Sequence, residues 1–189
     1  MHDEKIRKMT MCAMFTVLIA VGAFIRIPVP VVPFTVQFLF TTMAGLLMGG
    51  RLGAASVLLY VVLGLAGLPI FSEGGGIWYL VKPSFGYLIG FVLAAYVTGK
   101  LTEGMGTFRL KRVLLSNFIG LFLVYGVGMT YCYIISNFVI HTPLGLWPLF
   151  LYCFLLAVPG DLCLCILAAV LYKRVRPCGY LVGIKGEGR

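Results

Sequence analysis

The chain has 189 residues, of which 61% are apolar and only 11% charged, and its mean hydropathy is +1.04. Soluble domains run at about 45–50% apolar and about 25% charged, so this composition leaves too little polar surface to cover a water-soluble globule. It holds too much apolar surface for a disordered chain. The net charge of +9 does not mark a nucleic-acid binder. Most of the 15 Lys and Arg lie in clusters that flank apolar runs, namely Lys5/Arg7/Lys8, Lys100/Arg109/Lys111/Arg112 and Lys173/Arg174/Arg176 with Lys185 and Arg189. The composition therefore points to an all-α integral membrane protein, one membrane domain embedded in the lipid bilayer, with room for about six or seven spans of roughly 20 residues.

Six transmembrane helices are expected, over about 9–27, 34–50, 52–70, 83–101, 113–138 and 147–172. No segment alternates with a period of two, and a spanning segment must satisfy its own backbone polar groups, so helices are the element that fits. Residues 1–23 carry a basic start and a small-residue stretch, Val21-Gly22-Ala23, as a signal peptide would. The run Met9–Ile27 is nevertheless long enough to span, and it is expected to remain as the first helix. With the N-terminus inside, 13 of the 15 Lys and Arg fall on inner segments and only Arg26 and Lys82 on outer ones, which places both termini in the cytoplasm. The polar, glycine-rich tail Gly183–Arg189 is expected to be disordered.

The first outer loop, Arg26–Thr35, interleaves three prolines with apolar residues and is expected to lie across the outer surface as a cover. The second, Ser72–Pro83, combines Gly74, Gly75 and Gly76 with Trp78 and Tyr79. Two readings stand: backbone that approaches a ligand with rings that stack on it, or a plain connector carrying interfacial aromatics. The third outer loop, around His141–Gly145, carries no Lys or Arg, and His141 reads as an incidental interfacial residue. The six Cys (12, 132, 153, 163, 165 and 178) fall mostly in apolar runs without a Cys-x-x-Cys pair. Neither a disulfide framework nor a metal site is expected.

Asp161 is the only acidic residue inside an expected span. An ionised carboxylate at that depth costs several kcal/mol unless it meets partners or a cavity, so it is a functional candidate. A structural Asp bonded to a neighbouring helix is the alternative. Pro159 lacks an N–H and frees the carbonyl of Leu155, so Val158-Pro159-Gly160-Asp161 reads as a bent or opened helix of the kind that lines cavities. On the fourth helix Ser84, Tyr87 and Phe91 share one face, which suits a small amphipathic ligand or ordinary packing equally. Gly86 and Gly90 offer a neighbouring face for close helix contact. On the fifth helix, Asn117 is expected to bond a neighbouring helix and Tyr125 to line a cavity with Asp161. On the first helix Ala13, Thr16, Ala20 and Ala23 form a small-residue stripe that lets another helix approach, from this chain or another subunit.

Several chemistries lack their parts. The sequence has no phosphate loop, no HExxH and no GxSxG. A lone acid is a poor basis for acid–base catalysis, which needs a second titrating group. Transport driven by this chain would need energy from elsewhere.

Across nearly its whole length the sequence resembles the BioY family, the biotin-specific S components of energy-coupling-factor (ECF) vitamin transporters. The resemblance is carried by Pro28–Gln37, Ala44–Ala54, Tyr60–Phe71, Gly74–Gly76, Tyr79–Phe91, Tyr125–Gly128 and Val158–Asp161, in that order. It implies a six-helix protein of a prokaryotic cell membrane that binds biotin near the outer side and associates with a transmembrane T component and two ATPases. The chain itself would be no enzyme and would carry no cofactor. The small-residue stripe of the first helix resembles the family's Ala-x-x-x-Ala docking surface, at Ala13, Thr16, Ala20 and Ala23. Biotin offers ureido N–H donors, one carbonyl, an apolar ring and a carboxylate tail. Asp161 suits the ureido donors. Tyr79, Tyr87 and Tyr125 suit the rings, Ser84, Thr35 and Gln37 supply neutral hydrogen bonds, and Gly75 and Gly76 bring backbone close. The tail needs a cation, with Lys82 first and Arg26 second. Two positions depart from the family pattern: Lys82 stands where Gly commonly precedes the helix proline, and Leu164 where a Lys often follows Asp by three. A carboxylate partner moved to Lys82 accounts for both. The competing readings are an S component for another vitamin, a membrane-embedded lipid-modifying enzyme using Asp161, and an assembly subunit without a ligand. Whether the chain works alone, as a homo-oligomer or with partners is left open.

Overall fold

The computed structural model of the chain describes residues 2–27, 32–142 and 144–181. The tail Gly183–Arg189 and the first two prolines of the first outer loop lie outside the described residues. The architecture is all-helical. Helix α1 spans His2–Phe24 and begins before residue 9 because Asp3 and Glu4 suit the positive end of a helix dipole and Glu4 pairs with Lys8 at 3.0 Å. Residues 34–36 do not belong to the second helix as expected. Phe34–Thr35 (β2) pairs antiparallel with Arg26–Ile27 (β1), and Val36 N–H donates to Ile25 O at 3.1 Å, so these backbone groups are committed to a short hairpin.

Helix α2 then runs Gln37–Met48 and α3 runs Gly50–Leu65, joined at Gly49, whose φ of 83° a side-chain-bearing residue would resist. Helix α3 stops at Leu65 rather than 70, since Gly67 turns the chain at φ 109° and Pro69 follows. Helix α4 spans Phe85–Thr102, and α5 spans Leu110–Ile134, continuing as a π turn through Ile135–Val139. The sixth expected helix is one rod in three parts: α6 (Leu146–Phe150), a π turn (Leu151–Leu155) and α7 (Val158–Leu181). Its break falls just ahead of Pro159, where the missing N–H predicts it.

Among the described residues four helical stretches, Asp3–Phe24, Phe85–Thr102, Leu110–Val139 and Leu146–Val175, are long and apolar enough to cross a membrane. Helices α2 and α3 are apolar but shorter, with 12 and 16 residues, or about 18 and 24 Å. Helix α4 is the centre of the bundle, packed against α2, α3 and α5. Its glycine face does what the spacing predicts. Gly86 lies against Tyr131, and a Cβ at Gly90 would sit 2.8 Å from the Val124 Cα, so α4 and α5 are in backbone-close contact. Asn117, fully buried, donates to Cys165 O at 3.0 Å and ties α5 to α7, as expected.

The small-residue stripe of α1 does not form one open face. Thr16 and Ala23 are buried, with the Thr16 hydroxyl on Ser56 O of α3 at 3.0 Å, whereas Ala20 is half-buried and Ala13 exposed. At about 100° per residue the four positions cover roughly 80° of helix surface, which straddles the edge between packed and open sides. The buried half of the stripe serves α1–α3 packing.

Candidate functional site

Two covers meet at one end of the bundle, the hairpin and the 66–84 segment, and the residues of the second explain why it is no loose tether. Phe71 folds back onto Gly64, leaving no room for a side chain there, and lies between Tyr60 (edge to face, 5.4 Å) and Tyr79 (tilted, 4.5 Å). The Tyr60 hydroxyl donates to Ile70 O at 3.1 Å, and the Gly76 N–H to Gly64 O at 2.7 Å. Residues Ile77–Val81 form a 3₁₀ turn held by the Tyr131 hydroxyl, which donates to Leu80 O at 2.5 Å. Arg26 of the hairpin donates to Ser72 O, so the two covers are joined.

Beneath them lies a cavity of about 50 Å³, several times the roughly 10–15 Å³ that one water needs. The hairpin contributes Phe34 and Thr35, α2 Gln37 and Phe38, and the 66–84 segment Ser72 and Tyr79. Ser84, just ahead of α4, and Tyr87, Leu88 and Phe91 of α4 also line it; α5 contributes Val124 and Tyr125; the last rod contributes Tyr152, Cys153, Ala157 and Asp161. Among these lining residues Asp161 is the only acid, and no Lys or Arg is present.

Asp161 occupies the first turn of α7, where the helix dipole favours a carboxylate, and it is only 8% exposed. The Tyr125 hydroxyl donates to its Oδ2 at 2.5 Å. One phenol does not use up a carboxylate, which accepts about four hydrogen bonds. The aromatic wall is built edge to face: Tyr87 meets Tyr125 at 6.2 Å and 89°, and Tyr125 meets Phe154 at 5.2 Å and 72°. Tyr87 is fixed by its ring lying on Gly128 and by its hydroxyl donating to Cys153 O at 3.4 Å. Phe34 lies over the Asp161 corner, since a Cβ at Gly160 would fall 2.7 Å from its ring. Three hydroxyls form a chain, with Tyr79 shared between Ser72 (3.1 Å) and Ser84 (3.3 Å).

Of the residues singled out from sequence, Asp161, Tyr87, Ser84, Tyr79, Tyr125, Thr35 and Gln37 are brought together around this one cavity. Lys82, Gly75 and Gly76 are not among its lining. Lys82 pairs with Glu73 at 3.0 Å and stands 5.1 Å from the centre of the Tyr79 ring. Gly74 and Gly76 have φ values of 113° and 97° and shape the turn, while Gly75 lies against Leu68 O. Sequence reasoning missed Phe34, Tyr152 and Cys153. Phe34 stands in the sequence both at the end of the loop expected as a cover and at the start of the expected second helix; Cys153 stands eight residues before Asp161, a helical spacing that could have placed it on the same face, whereas no spacing signals Tyr152.

The whole-chain comparisons now bear on this geometry. The sequence model of the BioY family matches residues 1–179. This chain belongs to the BioY family. Among its relatives, a probable biotin transporter BioY from Lysinibacillus sphaericus is 44% identical over 175 residues, covering 93% of this chain and 89% of that protein. The biotin transporter BioY of Thermotoga maritima is 40% identical over 136 residues, 71% of this chain and 77% of that one. A solved structure of the S-component for biotin from an ECF-type ABC transporter superposes with a TM-score of 0.82 at 26% identity, covering 94% of each chain. These BioY relatives are transporters by name, and the shared fold is that of an S component.

Proposed function

We propose that this BioY-family chain captures biotin at the outer face of a prokaryotic cell membrane and delivers it inward when coupled to an ECF module of a T component and two ATPases. The observation that carries this reading is the Asp161 carboxylate, held by Tyr125 in a cavity walled by aromatic rings. A buried carboxylate with free lone pairs selects a ligand bearing N–H donors, and the rings select one with an apolar body. Biotin has both. In this reading Asp161 accepts the ureido N–H groups, Tyr87, Tyr125 and Tyr79 pack the bicyclic head, and Ser84 and Thr35 add neutral hydrogen bonds. Gln37 faces the same head. The tail leaves toward the covers, where Lys82 and Arg26 supply positive charge; Glu73 releases Lys82 to the ligand carboxylate. Gly75 and Gly76 act by shaping the segment that carries Tyr79.

The reading places six helices across the bilayer with both termini cytoplasmic, the cavity and its covers outside, and the chain as one membrane domain. The 13-to-2 distribution of Lys and Arg supports that orientation. Ala13 and Ala20, the open part of the α1 stripe, remain for the T component. Calorimetric titration of detergent-purified protein, produced without biotin, tests the reading. One-to-one binding of biotin with no heat from thiamine or riboflavin is expected; folded, ligand-free protein that fails to bind biotin overturns it.

A further inference from the structure

We propose that the Gln37 side-chain amide reads the carbonyl oxygen of the ligand's urea and so sets the preference for a urea over other cyclic N–H donors; this rests on the biotin reading above. Gln37 is the first residue of α2, 3% exposed, and lines the same cavity as Asp161. Its Nε2 is buried and has no hydrogen-bond partner among the described residues. The polar groups around it are engaged elsewhere. The Tyr60 hydroxyl is close enough to interact with the amide but lies outside hydrogen-bond geometry, and it gives its proton to Ile70 O, while the Ser72, Tyr79 and Ser84 hydroxyls bond one another. A buried amide donor left unpaired is disfavoured, and each such group in a native fold calls for an explanation, a bound water or ligand among them.

The chemistry of the missing partner follows from what the cavity offers. A urea presents two N–H donors beside one carbonyl acceptor. Asp161 takes the donors and can give nothing to the carbonyl when ionised. No Lys or Arg lines the cavity, so the carbonyl must draw on neutral donors, and the buried Gln37 amide N–H₂ is one that has no partner within the fold. A terminal amide turns about its last torsion, which brings the N–H₂ to an acceptor without moving α2. The pair Asp161 and Gln37, one an acceptor and the other a free donor, matches both edges of a urea.

The test is calorimetric titration of wild type, Gln37→Met and Gln37→Glu with biotin and with 2-iminobiotin, whose guanidine replaces the urea, after thermal unfolding has shown each variant folded. Gln37→Met is expected to weaken biotin by about tenfold to a hundredfold, the usual range for one buried hydrogen bond lost with its partner desolvated. Gln37→Glu is expected to move the affinity ratio by at least about tenfold toward 2-iminobiotin, because a carboxylate repels a carbonyl oxygen and pairs with a guanidinium. Biotin binding by Gln37→Met within about twofold of wild type, or a ratio unmoved in Gln37→Glu, overturns the assignment. If only one variant folds, its result decides. Wild-type protein that does not bind biotin instead overturns the biotin reading itself, so the two failures are distinct.

Discussion

Replacing Asp161 with Asn keeps the side-chain shape, leaves an acceptor for the Tyr125 hydroxyl that now reaches Oδ2 at 2.5 Å, and removes only the charge and one acceptor. The residue is 8% exposed and faces a cavity without another ionic group, so the effect on a bound ligand is not diluted by solvent. A hydrogen bond to a charged group contributes about 1.5–3 kcal/mol against about 0.5–1.5 for a neutral one. Two ureido contacts that lose their charge, one of them meeting an N–H₂ instead of an oxygen, give a loss of about 2–4 kcal/mol, or roughly 30- to 1,000-fold in Kd. Tyr125→Phe leaves the charge in place and should weaken biotin by only about fivefold, one neutral donor's worth. Titration calorimetry on detergent-purified protein, with thermal unfolding as the check on folding, reads both. Asn at 161 binding biotin within about threefold of wild type would refute the claim that the carboxylate anchors the ligand.

Three further outcomes follow from single contacts. Gly160→Ala places a Cβ 2.7 Å from the Phe34 ring, so thermal unfolding should show about 1–3 kcal/mol of destabilisation, and biotin should dissociate faster because the hairpin no longer seats. Lys82→Ala breaks an exposed pair with Glu73 worth at most about 1 kcal/mol, leaving stability nearly unchanged; biotin affinity should fall, and fall less at high salt. Equal affinity at low salt would remove Lys82 from the site. Glu103, at the other end of the bundle, accepts from the Gly50 N–H at 3.0 Å and from Lys100 at 2.8 Å. Burial pulls its carboxyl upward, but those two partners outweigh it and hold it below the usual range. A depressed carboxyl contributes stability above its unfolded pKa of about 4.3, lost as the pH falls through the folded value. Glu103→Gln should therefore lower stability by about 0.5–2 kcal/mol at pH 7 and by nearly nothing in acid below about pH 3.

Residues whose function follows from helical spacing were legible before the fold. Ser84, Tyr87 and Phe91 repeat on one face of α4 and all reach the cavity, and Gly86 and Gly90 repeat on the next and meet α5. Asp161 was legible for a different reason, because a charge inside an apolar run needs a partner, and Tyr125 on the facing helix is that partner. What spacing could not reach is where helices stop being regular. Cys153 and Ala157 precede Asp161 by eight and four residues and share its face, whereas Tyr152, about 180° from that face in regular α-helix, reaches the cavity within the π turn Leu151–Leu155. Phe34 and Thr35, included at the start of the expected second helix, pair as strand with Arg26 and Ile27. Lys82 was placed at the ligand by its charge and its position just before the fourth helix; its pairing with Glu73 is a contact that neither of these signals. The α1 stripe is part covered and part open, because a spacing rule fixes which residues share a side and not which side is covered.

The most direct test of the account is a structure determined with biotin added. The account predicts the bicyclic head between Tyr87 and Tyr125, a ureido nitrogen within about 3.2 Å of the Asp161 carboxylate, and the tail running toward Lys82 and Arg26. A head bound elsewhere, or a cavity left without biotin at saturating concentration, would contradict it.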